Sequence, residues 1–163
     1  MSTAISRDDF QRYLHQHIPL SQAMQVELVS LADDHLSVSA PLEPNLNHRG
    51  TFFGGSASTL CILSAWSLLY TRLRAAGRDC RLVIRRNSME YTRPVEGRAT
   101  ATARLAEPAG GDTGWEAFLQ AFDRRGKARI RVVSVLSYDG QEAGRLEGEF
   151  IALAHDDTTG AGA

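Results

Sequence analysis

Apolar residues first recur at helical spacing at Phe10, Tyr13, Leu14 and His17. Ser6 is placed to cap that helix, with Asp8 and Asp9 in its first turn, and Pro19 ends it. The period then drops to two. Residues 24–31 and 36–42 read as strands of a hairpin closed by Ala32, Asp33, Asp34 and His35. In the second of them Leu36, Val38 and Ala40 alternate with Ser37 and Ser39, so one face is expected to be buried.

The longest apolar stretch follows. A helix is predicted over residues 55–76, with Gly77 as its stop. Leu60, Ile62, Leu63, Ala65, Trp66, Leu68 and Leu69 cover nearly its whole circumference, which marks a helix buried on most sides. Arg72, Arg74 and Arg78 suit the negative end of its dipole. Strands are predicted at residues 81–91, 97–106, 115–123 and 127–138, the last two joined by a tight hairpin turn at Arg124, Arg125 and Gly126. A final strand, 145–154, follows a turn at Asp139 and Gly140. Residues 108–114 read as a flexible loop. Residues 155–163 read as a small, polar, disordered tail, leaving a single domain over 1–154. This order implies an α+β fold: a curved antiparallel sheet wrapped around one long central helix. One sheet from a chain this short does not cover the helix fully, so a second subunit is expected to complete the core.

Composition narrows the function classes. The net charge of −1 gives no nucleic-acid signal. Lys127 is the sole lysine among 18 basic residues, a bias toward arginine that matters only if phosphate or carboxylate is bound. Cys61 and Cys80 make neither a metal-ligand spacing nor a disulfide framework, and no cofactor or metal is expected. The polar N-terminus is no signal peptide, and the apolar run 57–70 is too short and too rich in Ser and Thr for a membrane span. A cytoplasmic location is expected.

The chemistry concentrates in PLEPNLNHRGTFFGGS, residues 41–56. Asn45, Asn47 and His48 lie on a loop, and Gly50, Gly54 and Gly55 lead into the helix. Such a turn aims unpaired backbone N–H groups and the positive end of a helix dipole at whatever lies in front, which suits a developing oxyanion. No Asp or Glu occurs between Glu43 and Asp79.

The turn Asn47-His48-Arg49-Gly50-Thr51-Phe52-Phe53-Gly54-Gly55 resembles the Asn-x-x-Gly-x-x-His-Gly-Gly turn of hot-dog fold thioesterases. SVSAPLEPNLNHRGTFFGGS followed by LSAWSLLYTRL is more closely similar to the C-terminal domain of YiiD-type proteins, a family that includes malonyl-acyl-carrier-protein decarboxylases of a stand-alone hot-dog type. The resemblance runs from about Pro19 to Leu153. It implies the hot-dog fold, a homodimer or tetramer, and an acyl thioester of acyl-carrier protein or coenzyme A as substrate. Two positions depart from the thioesterase pattern. Phe53 stands where a histidine is usual, and Ile62 where a helical carboxylate is usual. That carboxylate commonly activates water or attacks the thioester.

Losing carbon dioxide from a malonyl thioester needs neither water nor nucleophile, only a stabilised enolate oxygen and a dry pocket. On this reading Asn47 and a backbone N–H of Gly55 or Ser56 meet the oxygen, Phe52, Phe53 and the helix form the apolar wall with Gly54 beside them, and His48 protonates the enolate carbon or holds the carboxylate. Asn45 either touches substrate or simply forms the turn, Asn47, the first choice for the critical side chain, otherwise satisfies its own backbone, and Ser56 either donates to substrate or caps the helix. Arg78 and Arg81, in the basic stretch 72–86, either dock an acidic carrier protein or form a solvated face. Cys61 reads as core, and Glu90 and Tyr91 border the site or merely alternate on a strand. A thioester hydrolase using Asn47 with a water held by His48 is the alternative function. A non-catalytic binding module for acyl chains or carrier protein is the third.

Overall fold

The structure is a computed structural model describing residues 5–107 and 114–155. Helix α1 (Arg7–His17) is capped by Ser6, whose Oγ accepts from Asp9 N, as its sequence predicts. A short helix α2 (Pro19–Ala23) follows, begun by the proline that ends α1. Strands β1 (Glu27–Leu31) and β2 (Leu36–Ala40) form the expected hairpin. A 3-10 turn (Glu43–Asn45) leads to the long helix α3 (Gly54–Ala75). Then come β3 (Arg81–Tyr91), β4 (Ala99–Leu105), helix α4 (Trp115–Arg125), β5 (Lys127–Tyr138) and β6 (Gln141–Leu153). All strand pairs are antiparallel, in the order β1-β2-β4-β5-β6-β3. The α+β expectation, a sheet around one central helix, holds. Among the described residues no helix is long and apolar enough to cross a membrane.

Buried positions alternate along β4 and β5, as period two requires, and α3 packs across β2, β4, β5, β6 and β3. Ala99, Ala101 and Ala103 are fully buried on β4, small side chains at the strand nearest the helix. Leu60, Leu68 and Leu69 of α3 are fully buried, and Ser64 joins helix to sheet through a 2.7 Å hydrogen bond with Ser134 Oγ. Helix α1 reaches α3 through a stack in which Tyr70 lies 5.8 Å from Phe10, 5.0 Å from Tyr13 and 4.9 Å from Trp66. Trp66 Nε1 donates to Leu82 O, tying α3 to β3.

Three expectations are corrected. Residues 115–123 are helix, not strand: Trp115, Phe118, Leu119 and Phe122 recur at i, i+3, i+4 and i+7 and are buried together on one face of α4. Arg124, Arg125 and Gly126 are accordingly no hairpin turn; Gly126, at φ 66°, ends α4 in the left-handed conformation. Ser37 and Ser39 are buried as well as their apolar neighbours. Ser37 Oγ lies 2.7 Å from Thr102 Oγ1 across the strand pair, and Arg98 donates to Ser39 Oγ. The turn at Asp139 and Gly140 is as expected, both with positive φ, joining β5 to β6. Of the expected loop at 108–114 and tail at 155–163, residues 108–113 and 156–163 lie outside the described residues.

Candidate active site

The site is built from the chain's return to α3. Leu46 and Phe52 form an isolated antiparallel bridge, and residues 47–51 make the turn between them. Asn47 organises this turn. Its Oδ1 accepts from Arg49 N at 2.8 Å and Thr51 N at 3.1 Å, and its Nδ2 donates to Thr51 Oγ1 at 2.8 Å. Gly50 stands at φ 79°, a conformation that favours glycine. One of the two Asn47 amide hydrogens is thereby used. His48 is exposed and accepts from Arg49 Nε at 3.4 Å.

Asn45 is placed very differently, at 1 % exposure. Its Nδ2 donates to Met24 O at 3.0 Å and Pro41 O at 2.8 Å, which uses both amide hydrogens. Its main-chain oxygen accepts from Phe53 N at 2.7 Å, so Asn45 fixes the entry to α3. Its Oδ1 is buried with no hydrogen-bond partner, an arrangement that typically costs about 1–3 kcal/mol.

Phe53 is the N-cap of α3 and has no side-chain group to cap with. The first intrahelical bond runs from Ala57 N to Phe53 O, which leaves the N–H groups of Gly54, Gly55 and Ser56 without helical acceptors at the positive end of a 22-residue helix. The Phe53 ring, 53 % exposed, folds over Gly55. A Cβ on Gly55 would sit 2.4 Å from its Cε1, so the ring takes this seat only beside a glycine.

Two clefts flank this helix end. One, of about 300 Å³, is lined by Asn45, Phe53, Gly55, Ser56 and Thr59, with Leu20, Ala23, Met24 and Pro44 opposite. The other, of about 350 Å³, is lined by Phe52, Gly54 and Ala57, by the chain leaving β3 from Tyr91 to Val95, and by Leu136 and Ala143. Tyr91 closes onto the helix by donating from its hydroxyl to Gly54 O at 3.0 Å. Neither lining includes an Asp, Glu, His or Cys.

Of the residues singled out from sequence, Asn45, Phe53, Gly55 and Ser56 thus meet in one cleft, and Gly54 faces the other. Asn47 and His48 line neither. Arg78 and Arg81 lie past the opposite end of α3, whose length is about 33 Å at the α-helical rise. Arg78 grips Asp123 of α4, with Nε at 3.1 Å and Nη2 at 2.6 Å from the two carboxylate oxygens, and this holds the Asp123 carboxyl below its ordinary pKa. Cys61 is fully buried, and burial pushes its thiol up to about 12. Sequence reading missed Arg93, Pro94 and Val95. No local pattern marks them, because they reach the site only through the seating of β3 beside β6 at the sheet edge.

Comparison with known proteins agrees with this architecture. Residues 7–154 match the family model described as "Putative thioesterase (yiiD_Cterm)". A protein of unknown function from Chlorobaculum tepidum TLS superposes with a TM-score of 0.84 at 27% identity, over 93% of this chain and 99% of that one. A structure titled as a putative thioesterase from Shewanella oneidensis superposes with a TM-score of 0.79 at 26% identity, over 90% of this chain and 96% of that one. A thioesterase from Haemophilus influenzae shares the fold at a TM-score of 0.75 and 10% identity, over 96% and 97% of the two chains. With a hot-dog architecture along its length and a family model matched over residues 7–154, this chain belongs to the family described as "Putative thioesterase (yiiD_Cterm)".

Proposed function

We propose that the protein decarboxylates a malonyl thioester of acyl-carrier protein to the acetyl thioester, a step that supplies starter units for fatty-acid synthesis. The observation that carries this reading is the pairing of an uncapped α3 N-terminus with two clefts whose linings hold no carboxylate, imidazole or thiol. Hydrolysis asks for a base or nucleophile. Decarboxylation asks for neither. The bond between the carboxylate carbon and the α-carbon breaks, and carbon dioxide leaves. The electron pair passes into an enolate whose charge rests on the thioester oxygen, and one proton then goes to the α-carbon.

In this reading the N–H groups of Gly54, Gly55 and Ser56 receive the oxyanion, and a single such donor is typically worth about 2.7–4 kcal/mol. Asn45 has no amide hydrogen left to give, and Asn47, which keeps one, lines neither cleft, so its part in this reading is to shape the turn that leads into α3. His48, exposed on that turn, lines neither cleft, and in this reading the proton reaches the α-carbon from solvent once carbon dioxide has left. Phe53 and the apolar linings keep the site dry. The two unbridged cysteines accord with a cytoplasmic setting. A homodimer accords with the open edge of β3, where Val83 is 47 % exposed, and with the half-buried Ile62 and Trp66 on α3. Arg78 and Arg81 remain the proposed docking point for an acidic carrier; reversing both to Glu raises KM for carrier-bound substrate and leaves free pantetheine thioesters unaffected.

The family description and the titles of the structural relatives favour a second reading, hydrolysis of an acyl thioester. Incubation with malonyl-carrier protein followed by mass spectrometry of its arm separates the two. An acetyl arm with one carbon dioxide per turnover is expected. A free thiol means a hydrolase and an unchanged malonyl group a binding module; either rejects the decarboxylase.

A further inference from the structure

The cleft beside Gly54 has an apolar floor and a cationic rim. Ala57, Val95, Leu136 and Ala143 are all nearly or fully buried and present short or branched side chains. The volume of about 350 Å³ holds roughly a dozen water-sized groups, ample for a short acyl group. Arg93 stands at its edge, two residues beyond the Tyr91 that bonds to the helix end. Its guanidinium donates through Nη1 to Gln141 Oε1 at the start of β6.

Arg93 is the one charged residue in the lining of this cleft. Arg74, Arg78, Arg85, Arg98, Arg104 and Arg145 each face a carboxylate within ion-pair distance. Arg93 has no such counter-ion among the described residues, and a neutral amide carbonyl holds it instead. Gln141 therefore fixes the position of the guanidinium without cancelling its charge. A guanidinium offers five N–H donors in a planar fork that matches a carboxylate.

Building on the proposed function above, we infer that Arg93 selects acyl thioesters whose acyl group ends in a carboxylate. The thioester oxygen rests at the α3 N-terminus, the acyl group crosses the floor beside Gly54, and its far carboxylate meets Arg93 at the rim. Arg93 is a specificity residue: its contact holds the carboxylate before the bond breaks, so it improves substrate binding rather than the chemical step.

The test uses binding, which does not depend on turnover. Two non-hydrolysable thioether analogues of the pantetheine thioester, equal in length, one ending in a carboxylate and one in a methyl group, are titrated by calorimetry. Charge-assisted hydrogen bonds of this kind correspond to a preference of about 10–100-fold for the carboxylate-ended analogue, and this preference shrinks with added salt. Arg93→Gln brings the ratio close to one while methyl-ended binding stays unchanged. Gln141→Ala, which frees the guanidinium, lowers the ratio in part. Equal binding of both analogues by the native protein overturns the inference, as does an Arg93→Gln protein that is folded by circular dichroism and loses both analogues alike. If Arg93→Gln does not fold, the Gln141→Ala ratio decides: an unchanged ratio overturns the inference. A protein that prefers the carboxylate yet releases no carbon dioxide disproves the decarboxylase reading alone. One that releases carbon dioxide without the preference disproves the role of Arg93 alone.

Discussion

Replacing Gly55 by alanine separates the stability of α3 from the shape of its N-terminal site. Gly55 does not need its glycine for backbone reasons: it is helical, and its φ is not among the positive values. Alanine there gains about 0.5–1 kcal/mol in helix propensity and unfolded-state entropy. The new Cβ, however, would stand 2.4 Å from Phe53 Cε1 and 2.9 Å from Cζ, so the ring must leave its seat. Because Phe53 is half exposed, the ring moves into solvent at the cost of a rotamer adjustment of about 0.5–1.5 kcal/mol. The two effects nearly cancel, and urea denaturation should give a midpoint within about 1 kcal/mol of the native protein. Activity should not follow. Moving the wall of the cleft wets the helix terminus and misplaces the thioester, and displacements of this size cost on the order of 100-fold in rate. The assay is acetyl-carrier formation at saturating malonyl-carrier protein, run beside the denaturation series. A Gly55→Ala protein with native stability and native kcat refutes the argument that the Phe53–Gly55 packing shapes the site.

Gly144→Ala should behave oppositely. Its Cβ would lie 2.7 Å from the main-chain oxygen of Glu90, and the β3–β6 backbone must part to admit it; a loss of about 1–3 kcal/mol is expected in the same denaturation assay. Arg78→Gln should return the Asp123 carboxyl toward 3.8, read by NMR titration. Since the folded pKa lies below the unfolded one, the pair stabilises above the unfolded value, and this is lost as pH falls through the folded one. The variant should therefore show a weaker acid-side decline below about pH 4. Cys61, with its thiol pushed up to about 12, should resist aromatic disulfide reagents at pH 8 in the native protein while half-buried Cys80 reacts; both should react in urea, and rapid native labelling of Cys61 would contradict its burial in the core. Ser64→Ala and Ser134→Ala, combined in a double-mutant cycle, should show coupling of about 0.5–1.5 kcal/mol from their shared hydrogen bond.

Sequence reading succeeded where one local signal dominates. The apolar circumference of residues 57–69 marked the buried helix, and Ser6, Gly77 and the Asp139–Gly140 turn marked their boundaries. It failed at 115–123 because aromatic residues carry strand propensity, and that weak preference displaced the clearer i, i+3, i+4, i+7 spacing of Trp115, Phe118, Leu119 and Phe122. The neighbouring Gly126 then reads equally well as a turn or as a helix stop, so one wrong period carried a second error with it.

By itself the sequence determined the α+β class, the central helix, the glycine-led turn into its N-terminus and the absence of a helical carboxylate. These are statements about residue order, and local periodicity and backbone chemistry suffice for them. Tertiary structure alone decided which asparagine does what. The same residue type is buried at 45, with both amide hydrogens bound to carbonyls, and spans its own turn at 47, because only the packing of α2 and Pro41 brings acceptors to the first. It alone seated β3 beyond β6, so that Tyr91 closes onto Gly54 and Arg93 reaches a cleft formed from segments far apart in the chain. Such placements depend on long-range strand pairing, where each added residue of separation is invisible to any pattern of neighbours.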